Sequence, residues 1–145
     1  MRFLEHLKPL SLLLLRLAMG AIFIEHGYPK LFTMHNAATT TFIHWGFPGY
    51  FATISGTLEF FGGILLIAGL LTRVTALLLA IEMGVALAKV NIPQSGIYAI
   101  GKFELPLALC AAAFALAAVG AGVVSLDHLT FESGRSLSKK TKTTN

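Results

Sequence analysis

The stretch Ser11–Phe32, SLLLLRLAMGAIFIEHGYPKLF, decides which solvent this chain is built for. At 1.5 Å per residue it is long enough to cross a hydrocarbon core of ~30 Å. Yet it carries Arg16 near its start and Glu25-His26 near its far end. A charge at the bilayer centre costs about 2.5–3.5 kcal/mol on insertion scales. Each of these side chains therefore needs a partner from elsewhere in the chain.

The composition around that stretch agrees with a membrane setting. Of 145 residues 55% are hydrophobic and 12% charged, with mean hydropathy +0.75, against ~25% charged in an ordinary soluble domain. Four apolar segments, about 10–28, 50–71, 74–90 and 105–124, each approach the length of a span. The expected fold is all-α, an integral membrane four-helix bundle over 1–130 followed by a polar basic tail, 131–145. Only Thr72-Arg73 separates the second and third segments, which predicts a tight helical hairpin. The first connection ends in Phe42, Trp45 and Phe47 among polar residues and a Gly46-Phe47-Pro48-Gly49 turn, the composition of a segment lying at the headgroup level. The second, Asn91–Phe103, holds a Pro93-Gln94-Ser95-Gly96 turn and either lies on the bilayer or re-enters it.

Arg2, Lys8, Arg73, Arg135, Lys139, Lys140 and Lys142 fall on the side of the termini, and Lys30, Lys89 and Lys102 on the other. The positive-inside rule then places the N- and C-termini in the cytoplasm and predicts a multi-pass protein of a bacterial or archaeal cytoplasmic (inner) membrane. A cleaved signal peptide is not expected, since the apolar pattern runs on past Ala21. The net charge of +4 collects in the tail, facing anionic lipid and not nucleic acid. Cys110, the single cysteine, lies within an apolar run, which leaves no intrachain disulfide or CxxC pair and reads as a small buried hydrophobe.

The buried polar residues carry what chemistry there is. Gly56, Glu59, Gly62 and Gly63 share one helical face, so Glu59 points between helices that approach closely. Glu82 and Lys89 share a stripe of the third segment. Glu104, Ala108, Ala111, Ala115, Ala118 and Gly122 form a small-residue seam on the fourth. By depth, Arg16 and Glu82 are expected to form a structural buried ion pair that fixes helix register. Glu25, Glu59 and Glu104, with His26, Lys30, Lys89 and Lys102, are expected to gather in the outer half of the bundle as a pocket able to bind a ligand and exchange protons. His26 is its natural proton carrier. Neither haem nor a metal is expected: His35 and His44 lie in the connection, His6 and His128 on the opposite side, and no HxxxH or ExxH spacing occurs.

The chain resembles the DoxX family of small four-helix membrane proteins. The resemblance rests on Arg16-Leu17-Ala18-Met19-Gly20, His26-Gly27-Tyr28-Pro29-Lys30-Leu31, Gly46-Phe47-Pro48, Glu59-Phe60-Phe61-Gly62-Gly63, Gly69-Leu70-Leu71-Thr72-Arg73, Glu104-Leu105 and Gly120-Ala121-Gly122-Val123-Val124-Ser125-Leu126-Asp127. It implies a membrane subunit associated with redox metabolism, as in the DoxD subunit type of thiosulfate:quinone oxidoreductase. The thiosulfate activity itself is not carried over, because no cysteine lies in the connections. For this chain the expectation is a quinone in the outer half of the bundle, walled by Phe23, Tyr28, Phe60 and Phe103, with a partner protein supplying the electron carrier. Whether the chain is itself an enzyme stays open. Two other readings stand beside this one: a membrane anchor or scaffold for a partner complex, using the basic tail, and a proton-coupled small-molecule transporter working as a homo-oligomer.

Overall fold

The computed structural model describes residues 7–96, 101, 103–122 and 124–127. Lys102, the tail 131–145 and the question of re-entry at 97–100 lie outside the described residues. Among those described, every regular element is helical. Helix α1 runs Lys8–Tyr28 and continues through a π-helical turn, Pro29–Thr33; α2 is His35–His44 and α3 is Tyr50–Ala68. Helix α4, Thr72–Ala86, passes through a second π-helical turn, Leu87–Asn91, into a last helical turn, Ile92–Ser95; α5 is Glu104–Val119. Three stretches are long and apolar enough to cross a membrane, Lys8–Thr33, Tyr50–Ala68 and Thr72–Gln94, and α5 is a shorter apolar helix.

Two antiparallel contacts build the bundle. Helix α1 lies against α3 through glycines seven residues apart on each: a Cβ on Gly20 would sit 2.7 Å from the Gly63 carbonyl, and one on Gly27 2.8 Å from the Gly56 carbonyl. Without a hydrophobic drive between helices in lipid, such backbone-to-backbone packing holds them together. Helix α5 packs on α4 with Leu109, Ala113 and Leu116 inward, and Cys110 Sγ donates to the Ala80 carbonyl at 3.4 Å. Met19, Phe23, Leu66, Leu79 and Met83 join them in one core, while Leu14, Phe61, Ile64, Leu77 and Phe114 face outward, as lipid contact requires.

The small-residue seam of α5 faces the other way from the sequence expectation. Glu104, Ala108, Ala111, Ala115 and Ala118 are all exposed. A second stripe, Leu109, Ala113 and Leu116, has the same periodicity and takes the interior, where it joins Met19, Phe23 and Leu66 in one core.

The α3–α4 connection is a tight reversal. Gly69 ends α3 in the left-handed region (φ +69°) and Leu71 enters α4 with φ +50°, a conformation in which a branched residue is disfavoured. Asp127 sustains it. Its two carboxylate oxygens accept the Leu71 and Thr72 N–H groups at 2.7 and 2.9 Å, and its own N–H donates to the Gly69 carbonyl at 2.9 Å. The carboxylate thereby satisfies two of the four N–H groups that the start of a helix leaves open.

Candidate functional site

Arg16 is 1% exposed and makes no pair with Glu82. Its Nε donates to the Leu66 carbonyl (3.0 Å), Nη2 to Ile67 (3.1 Å), and Nη1 to Ala121 and Val124 (2.8 and 2.7 Å). The first two acceptors belong to the last turn of α3, where carbonyls have no helical partner and a cation is favoured. The expected ion pair fails on level. Arg16 lies eight residues into α1, about 12 Å from its start, and α1 overhangs the hairpin, so this depth brings it level with Leu66 and Ile67. Glu82 lies ten residues beyond Thr72, about 15 Å along α4 from the same hairpin. A Cβ on Gly69 would strike the guanidinium, so that glycine serves the arginine as well as the turn.

Glu82 instead shares a level with Glu59, nine residues before Ala68, and both sit near the middle of their apolar spans, Thr72–Gln94 and Tyr50–Ala68. The third span runs on to Gln94, past the expected end at Val90. Between these carboxyls and α2 lies a cavity of about 510 Å³. Its floor is Ser55, Glu59 and Glu82; its walls include Phe23, Phe51, Ile54, Met83 and Leu109; Phe42, Trp45 and Phe47 of the α2 region roof it, and His26 and Lys30 enter from α1. The roof is a connected set of rings, with Phe42 5.4 Å from Trp45 and 6.1 Å from Phe47 between centroids, and Phe47 5.8 Å from Phe51.

Lys30 is the cation of this site. Its ammonium donates to Glu59 Oε2 at 2.6 Å and to Ser55 Oγ at 3.0 Å, and lies 5.9 Å from the centre of the Phe42 ring. Glu59 is 2% exposed, and the Lys30 ammonium is the partner that offsets its burial. The preceding Pro29 has no N–H for the Glu25 carbonyl, and the π-helical turn it opens closes instead with Met34 N–H donating to the Pro29 carbonyl at 2.7 Å. Lys30 stands inside that widened turn. The second π-helical turn, near Pro93, contributes Val90 and Asn91 to the opposite wall.

Glu82 is the unsatisfied member. Both carboxyl oxygens are buried without a hydrogen-bond partner. Ser55, Glu59 and Lys30 are the polar groups close enough to act on it. Even with the Ser55 hydroxyl turned toward it, a carboxyl keeps acceptor sites to spare.

Of the seven residues expected to share a pocket, the structure brings His26, Lys30 and Glu59 together. Glu25 is exposed on the other side of α1, in a shallow groove of about 440 Å³ with Ala21, Ile24, Tyr28, Pro29 and Ile67. Lys89 and Glu104 are exposed and do not line the cavity, although Leu105 and Pro106, next to Glu104, do. Of the expected aromatic walls only Phe23 lines it. Tyr28 and Phe60 stack with Phe32 outside it, and Phe103 is buried without lining it. Sequence reasoning missed Ser55, and it missed Glu82 as a cavity residue. One signal was available: Glu59 and Glu82 flank the hairpin at nearly equal distances.

A glycine-packed helical bundle with a charged, aromatic-roofed cavity between spans defines a class of small membrane protein. The DoxX family pattern matches residues 11–92, and the chain belongs to the DoxX family. It is 30% identical over 120 residues to the Bacillus subtilis protein named "Putative oxidoreductase CatD", covering 83% of this chain and 87% of that one. An uncharacterised membrane protein of Mycobacterium tuberculosis is 34% identical over 92 residues, 61% of this chain and 56% of that one. An uncharacterised Haemophilus influenzae protein is 31% identical over 137 residues, 91% of this chain and 99% of that one. No solved structure matches the chain.

Proposed function

We propose that this DoxX protein is the membrane subunit of a redox system, holding a quinone-type ring in the cavity between α1, α3, α4 and α5 and working with a partner oxidoreductase. The observation that carries the reading is the cavity itself: apolar and aromatic walls around a floor of hydrogen-bonding and charged groups, at a volume within the usual 300–1,000 Å³ of small-molecule sites. A quinone needs an apolar slot for its ring and tail and polar groups at its oxygens. Phe42, Trp45, Phe47 and Phe51 supply the first, and His26, Lys30 and the carboxyls the second. When bound, the ring would supply the electron-accepting chemistry. The chain's own residues hold it, keep water away behind the aromatic roof, and exchange protons at the carboxyls. The relative named as an oxidoreductase supports the redox association.

By the positive-inside rule, Lys8, Arg73 and the basic tail put the hairpin end in the cytoplasm and the cavity in the outer half of a bacterial cytoplasmic membrane. The test is to purify the protein in mild detergent and extract and quantify its quinone. Wild type is expected to retain close to one quinone per chain, and Glu59→Gln, which breaks the pair that positions Lys30, about ten-fold less, equivalent to about 1.4 kcal/mol. No quinone in either preparation sinks the proposal.

One observation favours a second reading. Two carboxyls level with each other at mid-span, Glu59 and Glu82, are the equipment of a proton-coupled transporter. A flux in proteoliposomes that follows an imposed pH gradient would select it over the redox subunit; no flux under any gradient removes it.

A further inference from the structure

The outward face of α1, away from the cavity, carries one continuous stripe. Leu14, Ala18, Ala21, Glu25, Tyr28 and Phe32 are all exposed and recur at spacings of four, three, four, three and four. Bulky apolar side chains on such a stripe would need nothing but lipid. This one narrows to Ala18 and Ala21 and then carries a carboxyl. Gly27, two residues on, lies against Gly56 and Phe60 of α3, so Glu25 is level with Glu59, near the middle of that span. Ionisable groups at such depth turn to the bundle interior or find a partner. Glu25 does neither: it is exposed, and among the described residues it has no hydrogen bond or ion pair. The Tyr28 hydroxyl, one turn along the same stripe, also lacks a hydrogen bond among these residues, while Phe32 and Phe60 hold its ring at 5.1 and 6.2 Å between centroids. An acceptor and a donor stand on one face of one helix, and neither answers the other.

We infer that this face is the contact between two copies of the chain, related by a two-fold axis along the membrane normal. Every copy crosses the bilayer in the same direction, so this axis sets each stripe residue at the level of its counterpart. Ala18 and Ala21 let the two α1 helices approach closely. One turn further out, the Tyr28 hydroxyl of each copy donates to the Glu25 carboxyl of the other, which accepts in either protonation state. The two bonds are reciprocal, as a two-fold contact requires, whereas the span of a different protein would have to supply a matching donor and acceptor of its own. The groove of about 440 Å³ beside Glu25 seats the ring that crosses. The outward seam of α5 holds no such pair, since its carboxyl, Glu104, stands at the helix start. None of the six stripe residues lines the cavity, so the contact does not depend on what the cavity holds.

The test is to reconstitute the full-length protein, labelled with one fluorophore at its C-terminus, into lipid vesicles over a range of protein-to-lipid ratios and to count associated chains by stepwise photobleaching. Wild type is expected to pass from one chain to two as its density rises and to stop at two. Glu25→Leu and Tyr28→Phe are each expected to weaken dimerisation about ten-fold, as loss of both reciprocal bonds implies. Glu25→Gln, whose amide oxygen still accepts, is expected to stay within about three-fold of wild type. Tyr28→Phe keeps the ring contacts, so it serves also if the leucine variant does not accumulate. Ala115→Leu, on the α5 seam, is expected to change nothing. A wild type that stays monomeric at every density overturns the inference, and so does a dimer that both Glu25→Leu and Tyr28→Phe leave intact. A loss confined to Ala115→Leu places the contact on α5 instead, and an assembly larger than two excludes a two-fold contact, which closes at two.

Discussion

The hairpin end of the bundle and its aromatic end treat buried charged groups in opposite ways. At the hairpin end Arg16 has four carbonyl partners, and the Asp127 carboxylate takes two backbone N–H groups. At the aromatic end, Lys30 and Glu59 satisfy each other across the edge of a cavity and Glu82 satisfies nothing. Burying a polar group without a partner is costly, while satisfying it rigidifies the surroundings. The comparison teaches that the same kinds of charged residue, in one small membrane protein, divide into a set that closes the structure and a set held in reserve.

The largest effect expected to test this division is at Arg16. Arg16→Ala removes four hydrogen bonds to backbone carbonyls at a buried site and should lower stability by about 3–5 kcal/mol, measured by thermal unfolding in detergent. Arg16→Lys should recover only part, since an ammonium cannot reproduce the guanidinium fork. A loss below about 1 kcal/mol would mean that the latch is ornamental. Asp127→Ala should cost about 1 kcal/mol, the usual value of a helix cap, and show as faster hydrogen exchange at Leu71 and Thr72 with little change elsewhere. The smallest effect is expected at Glu82. Replacing an unpartnered buried carboxyl by an apolar group of similar size is close to neutral or stabilising, so Glu82→Leu should change the unfolding midpoint little or raise it. If it destabilises as Arg16→Ala does, the two ends are not different in kind.

Much of the fold was legible because helix length and apolarity are set by local composition. Glu59 was placed between helices by its glycine neighbours, and that position holds. What was not legible depended on relative depth and facing. The level of Arg16 is set by how far α1 overhangs the hairpin, which α1 alone does not encode. The level of Glu82 does not follow from the length of its span, since an end at Val90 or at Gln94 leaves it near mid-span alike; its place opposite Glu59 appears only in the packed bundle. The two stripes of α5 could not be ranked, because a leucine faces lipid as readily as core. Among the charged residues at the aromatic end, Lys30 turns inward and the exposed His26 borders the cavity, while Glu25, one position from it, faces a separate groove; that is a matter of helical phase and not of residue type.

The Arg16 contacts also bear on how the chain is made. Its acceptors lie 50 and 51 residues downstream, at Leu66 and Ile67, and 105 and 108 residues downstream, at Ala121 and Val124. Arg16 is synthesised before all of them. The latch therefore closes only after the last helix has left the ribosome, whatever order the spans enter the bilayer. Until then the nascent protein carries a guanidinium with at most two of its four carbonyl partners, a chemical difference by which an unfinished bundle is distinguishable from a finished one.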